Sequence, residues 1–250
     1  MREWIDLNAD LGEGSPNDAT LMKIITSANI ACGGHAGDEE TIRVAIERAK
    51  DHGVAIGAHP GFEDKENFGR VRLELSAEEL NAQLKRQIER FQKVASRLNT
   101  SIEYVKLHGA FANMTAESDE LALAAYGAIR ELMPDVQILA ISGTAQKRAA
   151  QQLELRSFDE VFADRAYTNE GQLASRSIEG AVLHDAEQVT AQINQLLDKG
   201  TVHAVSGEEI KLSAHSVCVH GDNEHAIRIA RAVRDTISAK GITLRSFAKQ

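Results

Sequence analysis

The sequence predicts a single domain, residues 1–250, folded as an irregular seven-stranded, TIM-like (β/α)7 barrel. Three observations point to it. Short runs rich in valine and isoleucine alternate with longer segments that repeat apolar residues at i, i+3 and i+4, the pattern of parallel strands joined by crossover helices. Most strand ends carry Asp, His, Lys or Arg beside glycine, and in a parallel α/β fold these ends open on one side, where ligands bind. Aromatic residues make up only 4% and proline 3 positions, which argues against a β-sandwich or propeller. A doubly wound open sheet is the other fold for this alternation, but seven units come close to the eight of a barrel.

The expected strands are Trp4–Asn8, Ala28–Cys32, Val54–Ala58, Glu103–Lys106, Val136–Ile141, Glu160–Ala163 and Val217–His220. Leu21, Ile24, Ile25 and Ala28 have helical spacing, as do Ile42, Ala45, Ile46 and Ala49. Ser76-Ala-Glu-Glu79 is a capping box opening a long helix with Leu80, Leu84, Ile88 and Phe91 on one side. Asp222-Asn-Glu-His225 opens the last helix, where Ile227, Ala230 and Val233 recur.

An apolar fraction of 43% and a charged fraction of 26% are ordinary for a soluble chain. With 37 acidic and 28 basic residues the net charge is −9, so a nucleic-acid partner is not expected. No apolar run approaches the ~18 residues of a membrane span, and the first residues carry no leader pattern. The chain reads as cytoplasmic, with Cys32 and Cys218 as two free thiols.

Chemistry concentrates at the strand ends. They read Asn8-Ala-Asp10, Cys32-Gly-Gly-His35, His59-Pro-Gly, Asn67-Phe-Gly-Arg70, Lys106-Leu-His108-Gly, Ala163-Asp164-Arg165 and His220-Gly-Asp222. A single histidine in such a place is more often a cap or a buried structural imidazole. Four at successive strand ends, each near glycine, point to one shared site. Asp6, Asn8 and Asp10 share a face if the first strand persists that far. They do not start a calcium loop, because its sixth and twelfth positions are Leu11 and Asn17. The candidate catalytic set is Asp10, His35, His59, His108 and His220. Asn8, Arg70, Lys106, Asp164, Arg165 and Asp222 are candidates for holding substrate or phosphate, with structural ion pairs as the alternative for the cations. No P-loop, dinucleotide fingerprint, HExxH or nucleophile elbow is present. Carboxylate and imidazole chemistry is left, with or without a divalent cation.

These motifs also resemble the LamB/YcsF family, from Asn8-Ala-Asp-Leu-Gly-Glu-Gly14 through Gly57-Ala-His-Pro-Gly-Phe62 and Lys106-Leu-His-Gly109 to Val219-His-Gly-Asp222. The resemblance runs nearly the whole chain. It implies a glycoside-hydrolase/deacetylase-like (β/α)7 barrel. It also implies an ATP-dependent opening of the 5-oxoproline lactam to glutamate, with ADP and phosphate released, carried out with B and C partner subunits. Asp10 would orient or deprotonate water, and His59 and His108 would polarise the carbonyl or hold the cation that accompanies ATP, magnesium or a transition metal. The wider fold group implies an alternative, a metal-dependent deacetylase of N-acetyl sugars with Asp10, His59 and His108 as its ligands. A third reading is a lactam-binding subunit without catalysis. The chain departs from the family's common pattern at Gly34, Leu107 and Ala112, where Phe, Pro and Tyr are usual, and at Glu63-Asp-Lys65. The lost aromatics would reshape a pocket.

Overall fold

The computed structural model describes residues 3–221 and 225–249. In chain order the elements are β1 (Trp4–Leu11), α1 (Asp18–Leu21), β2 (Ser27–Ala31), α2 (Glu39–Asp51), β3 (Ala55–His59), α3 (Ala77–Arg97), β4 (Tyr104–Val105), α4 (Gly109–Glu117) and α5 (Asp119–Leu132). There follow β5 (Gln137–Ile141), α6 (Ala145–Gln152), β6 (Ser157–Phe162), α7 (Ala186–Lys199), β7 (Thr201–His203), β8 (Glu209–Lys211), β9 (Ser216–Val219), α8 (Ala226–Ala239) and β10 (Thr243–Leu244).

Seven strands form the expected closed parallel barrel. Each of β1 to β5 pairs with the next, β6 pairs with β9, and β9 closes on β1. β10 lies outside the ring and, among the described residues, pairs only with the start of β1, Trp4 opposite Thr243. β1 changes partner at Asp6, which lies opposite Ser216 of β9. The strands are buried almost throughout, because helices cover the outer face and side chains fill the inside.

The helices follow from local signals. Asp38 accepts from the Thr41 amide at 2.9 Å, while the Asp38 amide donates back to Thr41 Oγ1 at 2.7 Å, which fixes the start of α2. The Ser76 box opens α3 as the sequence predicts, with the Ser76 amide donating to Glu79 at 2.8 Å. Leu80, Leu84, Ile88 and Phe91 of α3 are buried against the barrel. No helix among the described residues is long and apolar enough to cross a membrane.

The structure corrects several expectations. α1 stops at Leu21, and Ala28 belongs to β2, so the helical spacing from Leu21 to Ala28 does not make one helix. The chain must turn after Ile25 to bring Thr26 and Ser27 onto Asp6, which both hydroxyls contact. β1 runs three residues beyond Asn8, and β6 begins three before Glu160. The β7–β8 hairpin and β10 add to the seven expected strands. α8 begins at Ala226, after His225. Asp222, and with it most of the expected cap of the last helix, lies outside the described residues. Both cysteines are free and buried, as expected.

Candidate functional site

Because side chains alternate along a strand, Asp6, Asn8 and Asp10 all face the barrel interior from β1. They sit at three successive depths. At the bottom, Asp6 receives hydrogen bonds from Thr26 at 2.5 Å, Ser27 at 2.7 Å and Ser216. In the middle, Asn8 donates to Ser216 Oγ at 2.6 Å and accepts from Asn29 at 2.6 Å. Near the mouth, Asp10 Oδ1 accepts from Asn29 at 2.8 Å and from the Lys106 ammonium at 2.9 Å. Lys106 follows β4 and is buried. Its Nζ also lies 2.8 Å from Glu160 Oε1 and 3.1 Å from Cys218 Sγ, with the Phe162 ring 5.1 Å away.

Three of the four strand-end histidines meet beside Asp10. His59 Nε2 is 3.3 Å from Asp10 Oδ2 and 3.0 Å from His108 Nδ1. His35 stacks on His108, centroids 3.5 Å apart and planes 3° from parallel. His35 Nε2 lies 3.0 Å from Glu13 Oε1, which is 3.6 Å from His108 Nδ1. Glycines let the backbone hold these rings closely. A Cβ at Gly69, where φ is +62°, would fall 2.7 Å from His35 Cβ, and one at Gly61 would fall 3.0 Å from His35 Nδ1. Gly34 is needed for a different reason. A Cβ there would overlap Gln87 Oε1, and buried Gln87 clamps the Gly61 amide at 3.2 Å and its carbonyl at 2.8 Å. The usual Phe of the family pattern has no room at Gly34 while Gln87 is in place.

The fourth histidine stands on another wall. His220 Nδ1 donates to Asp164 at 2.8 Å, and its ring stacks on Phe162 at 5.7 Å. A cavity of about 510 Å³ opens between these walls. Asp10, Glu13, His59, Lys106, His108 and His220 line its depth, and Arg70, Arg72, Arg165 and Arg176 bring positive charge to it. Leu107 and Ala112, two of the family departures, also line it. Arg165 turns its guanidinium to its own loop, donating to the Ala174 carbonyl at 2.6 Å and the Ala181 carbonyl at 3.3 Å. Burial pushes its pKa down to about 10. Arg72 pairs with Glu117.

Electrostatics sort the groups. Burial pushes the Asp10 carboxyl up, but His59 and Lys106 outweigh it and hold Asp10 well below the usual carboxylate range. Burial acts against the Lys106 charge, yet Asp10, Cys218 and Glu160 raise its pKa well above normal. Burial, then the neighbouring histidines, keeps His35 and His108 well below the usual imidazole value, so both are neutral at pH 7. For His220 the opposite holds: burial is outweighed by Asp164, and its pKa rises. Burial lifts the Cys32 thiol to about 12 and Cys218 well above normal, so neither is a ready nucleophile.

The structure thus brings Asn8, Asp10, His35, His59, Lys106 and His108 into one cluster, with His220 and Asp164 facing it. It adds Glu13, Asn29 and Glu160, which are absent from the candidates the sequence suggests. Glu13 carries a signal, since it lies between Gly12 and Gly14, both with positive φ. Glu160 carries none, because its position in the sequence is that of an ordinary strand residue.

Comparison with known proteins fits this geometry. The profile of the LamB/YcsF family matches residues 5–250. The chain belongs to the LamB/YcsF family. It is 40% identical over 248 residues to the A-type subunit of 5-oxoprolinase from Alkaliphilus metalliredigens (strain QYMF), covering 97% of each chain. It is also 40% identical over 242 residues to that of Histophilus somni (strain 129Pt), covering 97% of this chain and 98% of the other. Among solved structures it is similar to a lactam utilization protein from Thermus thermophilus, with a TM-score of 0.89 and 35% identity over 98% of this chain and all of the other. This LamB/YcsF chain therefore shares both the barrel and extensive sequence with proteins named for lactam chemistry.

Proposed function

We propose that this chain is the lactam-hydrolysing subunit of a 5-oxoprolinase, working in the cytoplasm with B- and C-type partner subunits and ATP. The observation that carries it is the floor of the cavity: an ionised carboxylate, an adjacent imidazole and a buried ammonium meet there beneath arginines. A planar amide resists water because resonance makes its carbonyl a weak electrophile. Phosphorylation of that oxygen by ATP, with ADP released, makes the carbon electrophilic; one water then opens the ring and a second releases the phosphate. Opening the ring takes a group to receive a proton from water and positive charge to stabilise the oxygen as it becomes anionic. Asp10, oriented by His59, supplies the first, and Lys106, kept protonated by Asp10 and Glu160, the second. The ring nitrogen must receive a proton as the C–N bond breaks, and His220, raised in pKa by Asp164, is the imidazole lining the cavity that suits giving it. Arg70 and Arg176 suit the carboxylate of 5-oxoproline or a phosphoryl group. The sequence has no P-loop, which supports a nucleotide site shared with the partners.

A divalent cation is also implied by the family resemblance, and buried nitrogen and carboxylate donors here fit one. Bound, it would polarise a carbonyl or lower the pKa of a water.

The test is reconstitution with B- and C-type subunits, 5-oxoproline and ATP, reading glutamate and ADP. Asp10→Asn and His59→Ala are each expected to lower kcat by about 10²–10⁴-fold. Unchanged turnover in both would remove them from the reaction. ATP-independent release of acetate from an N-acetyl sugar would replace the lactam reading altogether.

A further inference from the structure

The protonation pattern of the histidine cluster can be worked out by elimination. His59 Nδ1 lies 2.8 Å from the Lys106 carbonyl oxygen, and His108 Nε2 lies 3.0 Å from the Phe68 carbonyl oxygen. A carbonyl oxygen only accepts, so each of these nitrogens carries the ring hydrogen. The other two nitrogens are thereby turned inward. Those two, His59 Nε2 and His108 Nδ1, face each other at 3.0 Å. Carboxylate oxygens crowd the same space, with Glu13 Oε1 3.6 Å from His108 Nδ1 and Asp10 Oδ2 3.3 Å from His59 Nε2. Two ring nitrogens and a carboxylate thus converge on one buried point, with His35 beside them. A metal ion there would engage all three at once.

We propose that His59 Nε2, His108 Nδ1 and the Glu13 carboxylate are the protein ligands of a borderline divalent transition-metal ion, and that His35 orients Glu13. The spacing suits this class. Ligands about 2.0–2.2 Å from a metal lie roughly 3.0–3.5 Å from one another at angles between square and tetrahedral; the two ring nitrogens are 3.0 Å apart, and Glu13 Oε1, 3.6 Å from His108 Nδ1, needs to move inward only slightly. Two imidazoles and a carboxylate suit zinc, cobalt, nickel or iron better than calcium or magnesium, which prefer all-oxygen shells. The outer contacts are of the kind that fix a ligand's direction: both ligating rings donate to backbone carbonyls, and His35 Nε2 holds Glu13 Oε1 at 3.0 Å. Three protein ligands leave a position open toward the cavity.

This differs from the Asp10–His59–His108 set that the wider fold group implies. Asp10 groups instead with Cys218 and His220. That second trio already holds a cation: the Lys106 ammonium is 2.9 Å from Asp10 and 3.1 Å from Cys218. Its charge repels a metal there, which leaves Glu13 as the carboxylate ligand.

The inference does not depend on which substrate the cavity takes, and its test uses none. Chelator-stripped, full-length protein is titrated with Co(II), reading visible d–d absorption and metal per chain after gel filtration. Saturable uptake of one ion per chain is expected. Glu13→Gln and His108→Ala should weaken it by more than about 100-fold and His35→Ala by about 10–100-fold, while His220→Ala leaves it unchanged. Circular dichroism selects the folded variants, and Glu13→Gln, nearly isosteric, stands in if a histidine variant does not fold. Absence of saturable uptake by the folded wild type overturns the proposal, as a proton shared by the two rings would then suffice. Uptake kept by both Glu13→Gln and His108→Ala, or lost in His220→Ala, also overturns it by moving the metal elsewhere.

Discussion

Asp6 and Asp10 lie on the same strand, face the same interior and are both buried, yet their carboxyls are displaced in opposite directions. Burial lifts Asp6 to about 6, although Ser216, Ser27 and Thr26 donate to it and pull the other way, and Glu160 adds repulsion. Burial acts on Asp10 too, but His59 and Lys106 overrule it and leave its pKa well below normal. Neutral hydroxyls at the bottom of the barrel cannot offset what charges at its mouth can. The bottom is thus a polar plug, and the mouth is an ionised site held open to chemistry. Environments that drive two carboxyls apart in this way are how one scaffold separates a structural acid from a reactive one.

The comparison can be broken most directly at Lys106. Lys106→Met leaves Asp10 and Glu160 buried without their shared cation and is expected to cost about 3–5 kcal/mol of stability. Urea unfolding at pH 7 measures it. Adding Asp10→Asn and Glu160→Gln to the same chain should recover most of the loss. If the single variant is as stable as wild type, the mouth is not held by that ammonium.

The next effect lies at the bottom. A folded pKa of about 6 against an ordinary 3.8 means that the native state binds Asp6's proton more tightly than the unfolded chain does. Its contribution to stability is therefore full below the ordinary value and fades as pH rises through about 4 to 6, amounting to roughly 3 kcal/mol in all. Asp10, with a depressed pKa, has the opposite sign and loses its contribution only in stronger acid. Asp6→Asn should flatten the decline between pH 4 and 7 in urea midpoints. An equally steep decline in the variant would assign that slope to another group.

The smallest effect sharpens the boundary between the two regions. Ser216 donates to Asp6 and accepts from Asn8, so it joins the plug to the layer below the site. Ser216→Ala should cost about 1–3 kcal/mol and raise the pKa of Asp6 further, moving the pH-sensitive window upward. A midpoint curve displaced to lower pH would contradict the role given to the hydroxyl.

Much of this was legible in the sequence, for definite reasons. The barrel was, because seven apolar runs survive as strands within a few residues of their expected bounds. The end of β1 was not, because Asn8 and Asp10 interrupt the apolar pattern; inward-facing polar residues are what a site requires and what a hydrophobic reading excludes. Ser157 and Asp159 hid the start of β6 in the same way. The histidines were found because glycine marked their strand ends. Glu13 was missed among 37 acidic residues, since the glycines on either side mark a turn but do not say that its carboxylate reaches two rings from the loops after β2 and β4. Arg165 looked free to hold a ligand, but its loop takes the guanidinium for its own carbonyls.

The order of pairing around β1 has a consequence for how the chain is made. The first strand finds both of its late partners, β9 and β10, only after more than two hundred residues have been joined. Until then the growing polypeptide carries two bare sheet edges, one on β1 and one on β6, and edges of that kind invite pairing with neighbouring chains. Asp6, Asn8 and Asp10 line the inner face of one of those strands. The carboxylates placed there for a closed barrel also put charge on the strand that waits longest for its partner.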